Sequence, residues 1–69
     1  MPGDVGLVAE LLSKVFGWLV DPTGYEQLTL DNKLKFMMRG INEAMAKSDW
    51  ATVDALFAEY RELRTHLSA

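Results

Sequence analysis

The 69-residue sequence contains no cysteine and a single histidine, His66. Disulfide bonds and thiolate metal sites are therefore excluded, and one imidazole falls short of the three or four ligands that a zinc site needs. Nucleophilic catalysis is disfavoured too, because a nucleophile needs a base within hydrogen-bonding distance and His66 lies close to the C-terminal end. We therefore predict that the chain is not an enzyme and that it binds no metal and no cofactor.

Basic residues and glycine clusters are also scarce. Seven Lys and Arg against ten Asp and Glu give a formal net charge of −3, whereas nucleic-acid-binding proteins usually carry a basic face that contacts phosphates. The five glycines are scattered, so no glycine-rich phosphate loop is present. These absences argue against nucleic acid as a partner and against phosphate chemistry.

Long apolar runs are missing as well. The segment 5–20 is interrupted by Glu10, Ser13 and Lys14, and it is shorter than the roughly 20 apolar residues that span a bilayer. No basic stretch precedes it, as one would in a secretory signal peptide. We expect a cytoplasmic location, which the absence of cysteine also allows.

What the sequence does contain is helical periodicity in three stretches, which predicts an all-α fold. We expect one domain over 1–69 with helices at 4–20, 30–47 and 49–67 and a connector at 21–28. Asp4 and Thr29 are suitable N-terminal caps. The short junction at Ser48 and Asp49 predicts an antiparallel helical hairpin against which the N-terminal amphipathic helix packs.

Each predicted helix has one apolar stripe that should face the core. In the hairpin, residues whose numbers sum to about 97 should face each other, and Arg64 should find an anion in Asp31. The three inward stripes are Val5, Val8, Leu12, Val15, Phe16 and Leu19; Leu30, Leu34, Met37, Met38, Ile41, Ala44 and Met45; and Trp50, Val53, Leu56, Phe57, Tyr60, Leu63 and Leu67.

Five residues do not fit this simple packing: Leu7, Leu11, Trp18, Phe36 and Gly40. The first three form a second apolar row on the first helix, which is either additional core, an interface with a second copy or a partner protein, or a membrane-surface contact. Phe36 lies off its stripe and either contacts the first helix and connector or belongs to a contact site. Gly40 inside a helix indicates either close packing or tolerated slack.

In size, helicity and charge the chain resembles small phage-encoded accessory proteins, such as anti-CRISPR proteins and anti-activators of quorum-sensing regulators. That resemblance implies inhibition by occupying a host protein rather than by catalysis. A chain this small buries only about 60% of its unfolded surface, so a second copy or a partner would add stability. Our hypothesis is a protein–protein interaction module, a homodimer that contacts a partner protein through the first helix and the Phe36–Gly40 surface. The alternative is a peripheral membrane or particle-associated structural protein.

Overall fold

The computed structural model describes residues 5–68. This part of the chain consists of helices joined by short irregular segments and contains no strand. The all-α prediction is confirmed, but the expected count of three helices is wrong. There are four: α1 (Val5–Phe16), α2 (Pro22–Glu26), α3 (Leu30–Ala46) and α4 (Trp50–Ser68). The predicted cap Asp4 lies outside the described residues.

The first helix ends at Phe16, four residues earlier than predicted. Gly17 adopts a φ of 78°, a left-handed conformation that glycine takes without steric penalty and that commonly terminates helices. The Gly17 amide donates to the Ser13 carbonyl at 2.9 Å, which completes the last turn. Trp18 and Leu19 therefore lie beyond the helix, and an extrapolation of the helical wheel to Val20 was wrong.

The expected connector contains the second helix. Asp21 is its N-cap, accepting a hydrogen bond from the Gly24 amide at 3.0 Å, and Pro22 occupies the first turn, where its missing N–H is no loss. Asp21 and Pro22 thus begin a short helix that includes the buried Tyr25, where only a connector was expected.

The ends of α3 and α4 lie within one residue of the predicted bounds. Thr29 caps α3 by accepting from the Asn32 amide at 3.2 Å. At the other end Ser48 has a φ of 55°, and the Asp49 amide donates a hydrogen bond to the Ala44 carbonyl at 2.9 Å. Asp49 then accepts from the Thr52 amide at 3.3 Å and caps the start of α4.

The two long helices are antiparallel. Asp31, Leu34 and Met38 near the start of α3 line one groove with Tyr60, Arg64 and Leu67 near the end of α4, while Gly40, further along α3, lies beside Leu56. The predicted ion pair between Asp31 and Arg64 is not formed. Asp31 instead binds Lys35 one turn along its own helix, at 3.1 Å.

The core lies where α1 crosses the hairpin. Its fully buried side chains include Leu12 of α1, Met37 and Ile41 of α3, and Leu56 of α4. Gly40 is buried at this crossing, where an added Cβ would overlap the Leu12 Cδ2 methyl and lie 3.5 Å from Leu56 Cδ1. The glycine therefore serves close packing of α1 on α3.

Polar contacts fix the C-terminal end of α1 on the hairpin turn. Lys14 Nζ lies 3.3 Å from a carboxylate oxygen of Asp49 and donates to the Thr52 hydroxyl, also at 3.3 Å. Lys47 Nζ donates to the Val15 carbonyl. Among residues 5–68, no helix combines the length and hydropathy needed to cross a membrane.

Candidate functional site

Four aromatic side chains from separate parts of the chain meet on one side of the molecule. Phe16 stacks on Trp18 with ring centroids 5.2 Å apart and on Phe36 at 5.3 Å. Trp18 and Phe36 are 6.2 Å apart, and Tyr25 tilts against Phe36 at 6.4 Å. Offset aromatic contacts at these distances stabilise by about 0.5–1.5 kcal/mol each beyond the area they bury. The cluster joins the end of α1, the following turn, α2 and α3.

Ser13 fixes the turn that carries Trp18. Its hydroxyl donates to the Ala9 carbonyl at 2.7 Å and accepts from the Val20 amide at 2.8 Å. The chain therefore reverses at Gly17 and returns towards the end of α1, where Val20 is buried. This reversal lays the Trp18 ring over Phe16.

Part of the cluster remains open to solvent. Trp18 is 53% exposed and its neighbour Leu19 is 83% exposed, while Phe36 is half-buried. Leu28, from the segment between α2 and α3, shares with these three a shallow groove of about 230 Å³. Phe16, Trp18, Leu19, Leu28 and Phe36 together form what we call the aromatic surface.

Cationic side chains lie along the edge of the aromatic surface. The Arg39 guanidinium lies 5.9 Å from the centre of the Phe16 ring, and Lys35 and Arg39 line a groove of about 310 Å³ beside Phe36. Lys35 is already paired with Asp31. Arg39 makes no ion pair with any residue of the described segment.

Tyr25 closes the buried side of the cluster. Its ring is almost fully buried, with Lys33 Nζ 5.8 Å from the ring centre. Burial raises the pKa of the phenol from 10.0 to about 12, and the charge of Glu59 adds to the shift. Tyr25 is therefore a neutral, structural member of the cluster.

The predicted site residues separate into three groups. Trp18 and Phe36 are brought together in the aromatic surface. Leu7 and Leu11 remain on α1, where Leu7 is 39% exposed and Leu11 is half-buried against the core. Gly40 is covered by Leu12 within the chain, so the expectation that it offers a surface to a partner was wrong.

A second apolar surface lies on α3 and α4 and was not predicted. Met45, Trp50, Phe57 and Leu67 are exposed, although the spacing had placed all four on inward stripes. The buried residues of α4 are Leu56, which lies on the predicted stripe, and Thr52, which does not. The buried Thr52 hydroxyl is satisfied, since it donates to Asp49 at 2.6 Å and accepts from Lys14.

The same capping contact affects Asp49. Hydrogen bonds from the Thr52 hydroxyl and amide, and the charge of Lys14, hold the pKa of this carboxyl below its usual range. The group is an ionised cap with structural partners. Across residues 5–68, no group of three or more His, Asp or Glu side chains is arranged to hold a metal ion.

Comparisons of the chain with protein-family models, curated proteins and solved structures found no match. The resemblance to phage accessory proteins stays a hypothesis. The functional interpretation therefore depends on the two apolar surfaces.

Proposed function

We propose that this protein is a non-enzymatic interaction module, a small regulator or inhibitor that acts by occupying a surface of a partner protein through the aromatic surface. The observation that carries the proposal is the exposure of Trp18 and Leu19 beside the half-buried Phe36. Large exposed apolar groups held in a fixed position are typical of binding sites. Tryptophan is also among the residues that contribute most to protein interfaces.

The aromatic surface is organised before any partner binds. Trp18 is stacked on Phe16, and the turn that carries it is closed by hydrogen bonds to Ser13. A side chain that is already ordered loses little conformational freedom on binding, whereas a mobile one costs about 0.5–1.5 kcal/mol to immobilise. The stacking thus favours affinity as well as stability.

The surrounding charges indicate the chemistry of the partner. Arg39 borders the aromatic surface and has no carboxylate partner within residues 5–68. We infer that the partner presents an apolar segment for Trp18 and Leu19 and an acidic side chain for Arg39. Such charge complementarity contributes mainly to specificity and to the rate of association.

The membrane alternative is based on the second apolar row of the first helix, Leu7, Leu11 and Trp18. The helix ends at Phe16, and Trp18 belongs to a turn that is packed on other aromatic rings. This geometry favours a protein partner over a membrane surface. We therefore retain one proposed function.

The test is affinity enrichment from cells of the source organism, followed by Kd measurement with the purified partner. Trp18→Ala should raise Kd at least about 30-fold, since a central tryptophan contributes about 2 kcal/mol or more. Trp50→Ala is the matched control because it removes an exposed tryptophan outside the aromatic surface. Circular dichroism checks that both variants keep their helices.

Three outcomes would overturn the proposal. The first is that the wild type enriches no protein over an unrelated helical control, and the second is that Trp18→Ala binds the partner as tightly as the wild type. The third is that the wild type floats with neutral or anionic vesicles in a Trp18-dependent manner. The last result would assign the aromatic surface to a lipid interface instead. Loss of binding in Trp18→Ala but not in Trp50→Ala supports the proposal.

A further inference from the structure

The second apolar surface runs along the outer side of the hairpin. Trp50, Val53, Phe57 and Tyr60 on α4 recur at intervals of three, four and three, and Leu67 follows Tyr60 by seven, the spacing of a helix that packs along another helix. We call this surface the hairpin face, and it consists of Met38, Met45, Trp50, Val53, Phe57, Tyr60 and Leu67.

The protein's own first helix covers the other side of the hairpin. Val5 and Val8 of α1 share a cavity with Met37 and Leu63, and Leu12 packs towards Leu56 at Gly40. The groove on the hairpin face is lined by residues of α3 and α4 alone. Nothing in the described part of α1 or α2 lines that groove.

We propose that the hairpin face binds a second copy of this chain, with α4 antiparallel to α4 of the other copy about a twofold axis near Phe57. In this arrangement, positions whose numbers add up to about 115 lie opposite each other. Asp54 of one copy then faces Arg61 of the other copy, and the twofold axis repeats the pair. In a parallel arrangement equivalent residues lie at the same height, so Asp54 of one copy and Arg61 of the other would be about 10 Å apart along the helix axis and could not pair.

Asp54 and Arg61 are available for this pairing. Both are exposed, and neither forms an ion pair with any residue from 5 to 68. Arg61 lies 5.6 Å from the centre of the Phe57 ring, which places its charge beside the proposed axis. Flanking pairs of this kind select partner and orientation in helical bundles.

The same register accounts for Arg64, a charge that lies among the apolar residues of the α4 stripe. Positions 50 and 64 lie opposite each other across the proposed axis. The guanidinium of one copy can therefore cover the exposed Trp50 ring of the other, a favourable cation–π arrangement. Within the single chain, Arg64 lines the open groove instead.

The available area is suitable for a small dimer. Trp50 is 59%, Leu67 54%, Met45 40% and Phe57 37% exposed; at roughly 200 Å² for a large side chain, these residues expose on the order of 400 Å² per copy. A standard interface buries about 800 Å² per partner, of which more than half is apolar. The half-buried Tyr60 and Val53 and the charged flanks would supply the remainder.

This inference is independent of the proposed function, because the hairpin face and the aromatic surface share no residue. It also differs from the expectation that a dimer would form through the first helix. The two possibilities give different results when single residues are changed. Sedimentation equilibrium across a wide micromolar concentration range distinguishes them.

The wild type should sediment at twice the 7.8 kDa mass of the chain at the upper end of that range. Phe57→Glu should sediment as a monomer with an unchanged helical spectrum. Leu19→Glu is the matched control, since it places the same charge on an exposed leucine outside the hairpin face, and its mass should equal that of the wild type.

Charge variants test the antiparallel pairing without disturbing apolar packing. Asp54→Arg and Arg61→Asp should each dimerise at least about tenfold more weakly, because each puts like charges opposite each other. An equimolar mixture of the two variants should regain a dimer, and so should the double swap Asp54→Arg with Arg61→Asp. Recovery by the double swap is specific to the antiparallel pairing.

The inference is overturned if the wild type is a monomer throughout, or if Leu7→Glu or Leu19→Glu dissolves the dimer while Phe57→Glu leaves it intact. It is equally overturned if the two charge variants dimerise as tightly as the wild type. Neither result bears on the aromatic surface, because partner binding is measured separately with Trp18→Ala.

Discussion

Gly40 allows a decisive test of how α1 packs on the hairpin. In an exposed helix interior, Gly→Ala stabilises by about 1 kcal/mol because alanine has the higher helix propensity. At Gly40 the new methyl group would overlap Leu12 Cδ2 and lie 3.5 Å from Leu56 Cδ1. Leu12 and Leu56 are fully buried, so neither has free space into which it can turn.

Overpacking of a buried site costs about 1–3 kcal/mol, which exceeds the gain in helix propensity. We therefore expect Gly40→Ala to lower the free energy of unfolding by about 1 kcal/mol. In a Leu12→Val background the Cδ2 methyl is gone, and Gly40→Ala should instead raise stability by up to about 1 kcal/mol. The resulting coupling of about 2 kcal/mol lies within the range for residues in contact.

Urea unfolding followed by circular dichroism measures all four free energies, using midpoints at a common m value. Gly24→Ala is the matched control: it also lies in a helix, but its nearest contact for a Cβ is Asp21 Oδ2 at 3.5 Å. It should stabilise both backgrounds equally, by about 0.4–1 kcal/mol. If Gly40→Ala stabilises the wild type as much as it stabilises Leu12→Val, the proposed close packing is refuted.

Two further predictions concern the turn and the aromatic cluster. Gly17→Ala should destabilise by about 1–2 kcal/mol, because the φ of 78° is unfavourable for a residue with a Cβ; Gly17→Asn should lose less, and urea midpoints equal to the wild type would contradict this. The pKa of Tyr25 is raised to about 12 on folding, so its stabilising contribution is complete below pH 10 and declines as pH rises towards 12. Urea titrations at several pH values should show a smaller alkaline loss for Tyr25→Phe, and equal losses would refute that contribution.

The hairpin could be predicted because the signals that define it are local. Thr29 and Asp49 each cap a helix by bonding to an amide three residues ahead, and such contacts can be inferred from spacing alone. The short turn between the helices then determines their antiparallel direction and register. Very little of this depends on the rest of the chain.

The end of α1 could not be located in the same way. The apolar pattern continues to Val20, but the helix ends at Phe16, before Gly17, whose amide bonds to the Ser13 carbonyl, and Asp21 with Pro22 begins another helix. A glycine within an apolar pattern is compatible both with a helix interior and with a helix end. The choice depends on the Ser13 hydroxyl, which holds the Val20 amide across the turn.

The error in α4 has a different cause, since its helix was predicted and its buried face was not. Periodicity favours the strongly apolar stripe of Trp50 and Phe57 as the core, but the structure buries Leu56 and Thr52 and leaves Trp50 and Phe57 exposed. Thr52 is satisfied there by Asp49 on its own helix and by Lys14, 38 residues earlier in the sequence. A contact between residues so far apart cannot be inferred from local spacing.

The two features that the sequence did not predict, the early end of α1 and the buried Thr52, also determine where the candidate surfaces lie. Ending α1 at Gly17 moves Trp18 from a helix face into an exposed aromatic stack, and turning Thr52 inward leaves Phe57 outside. Neither arrangement brings Trp18 or Phe57 into the core that a chain of this size most needs. Trp18 is instead held by its stack on Phe16 and by the turn that Ser13 closes with Val20. Phe57 makes an edge contact with Tyr60, with ring centroids 6.0 Å apart. These exposed apolar groups are the starting point for both the proposed partner site and the proposed dimer interface.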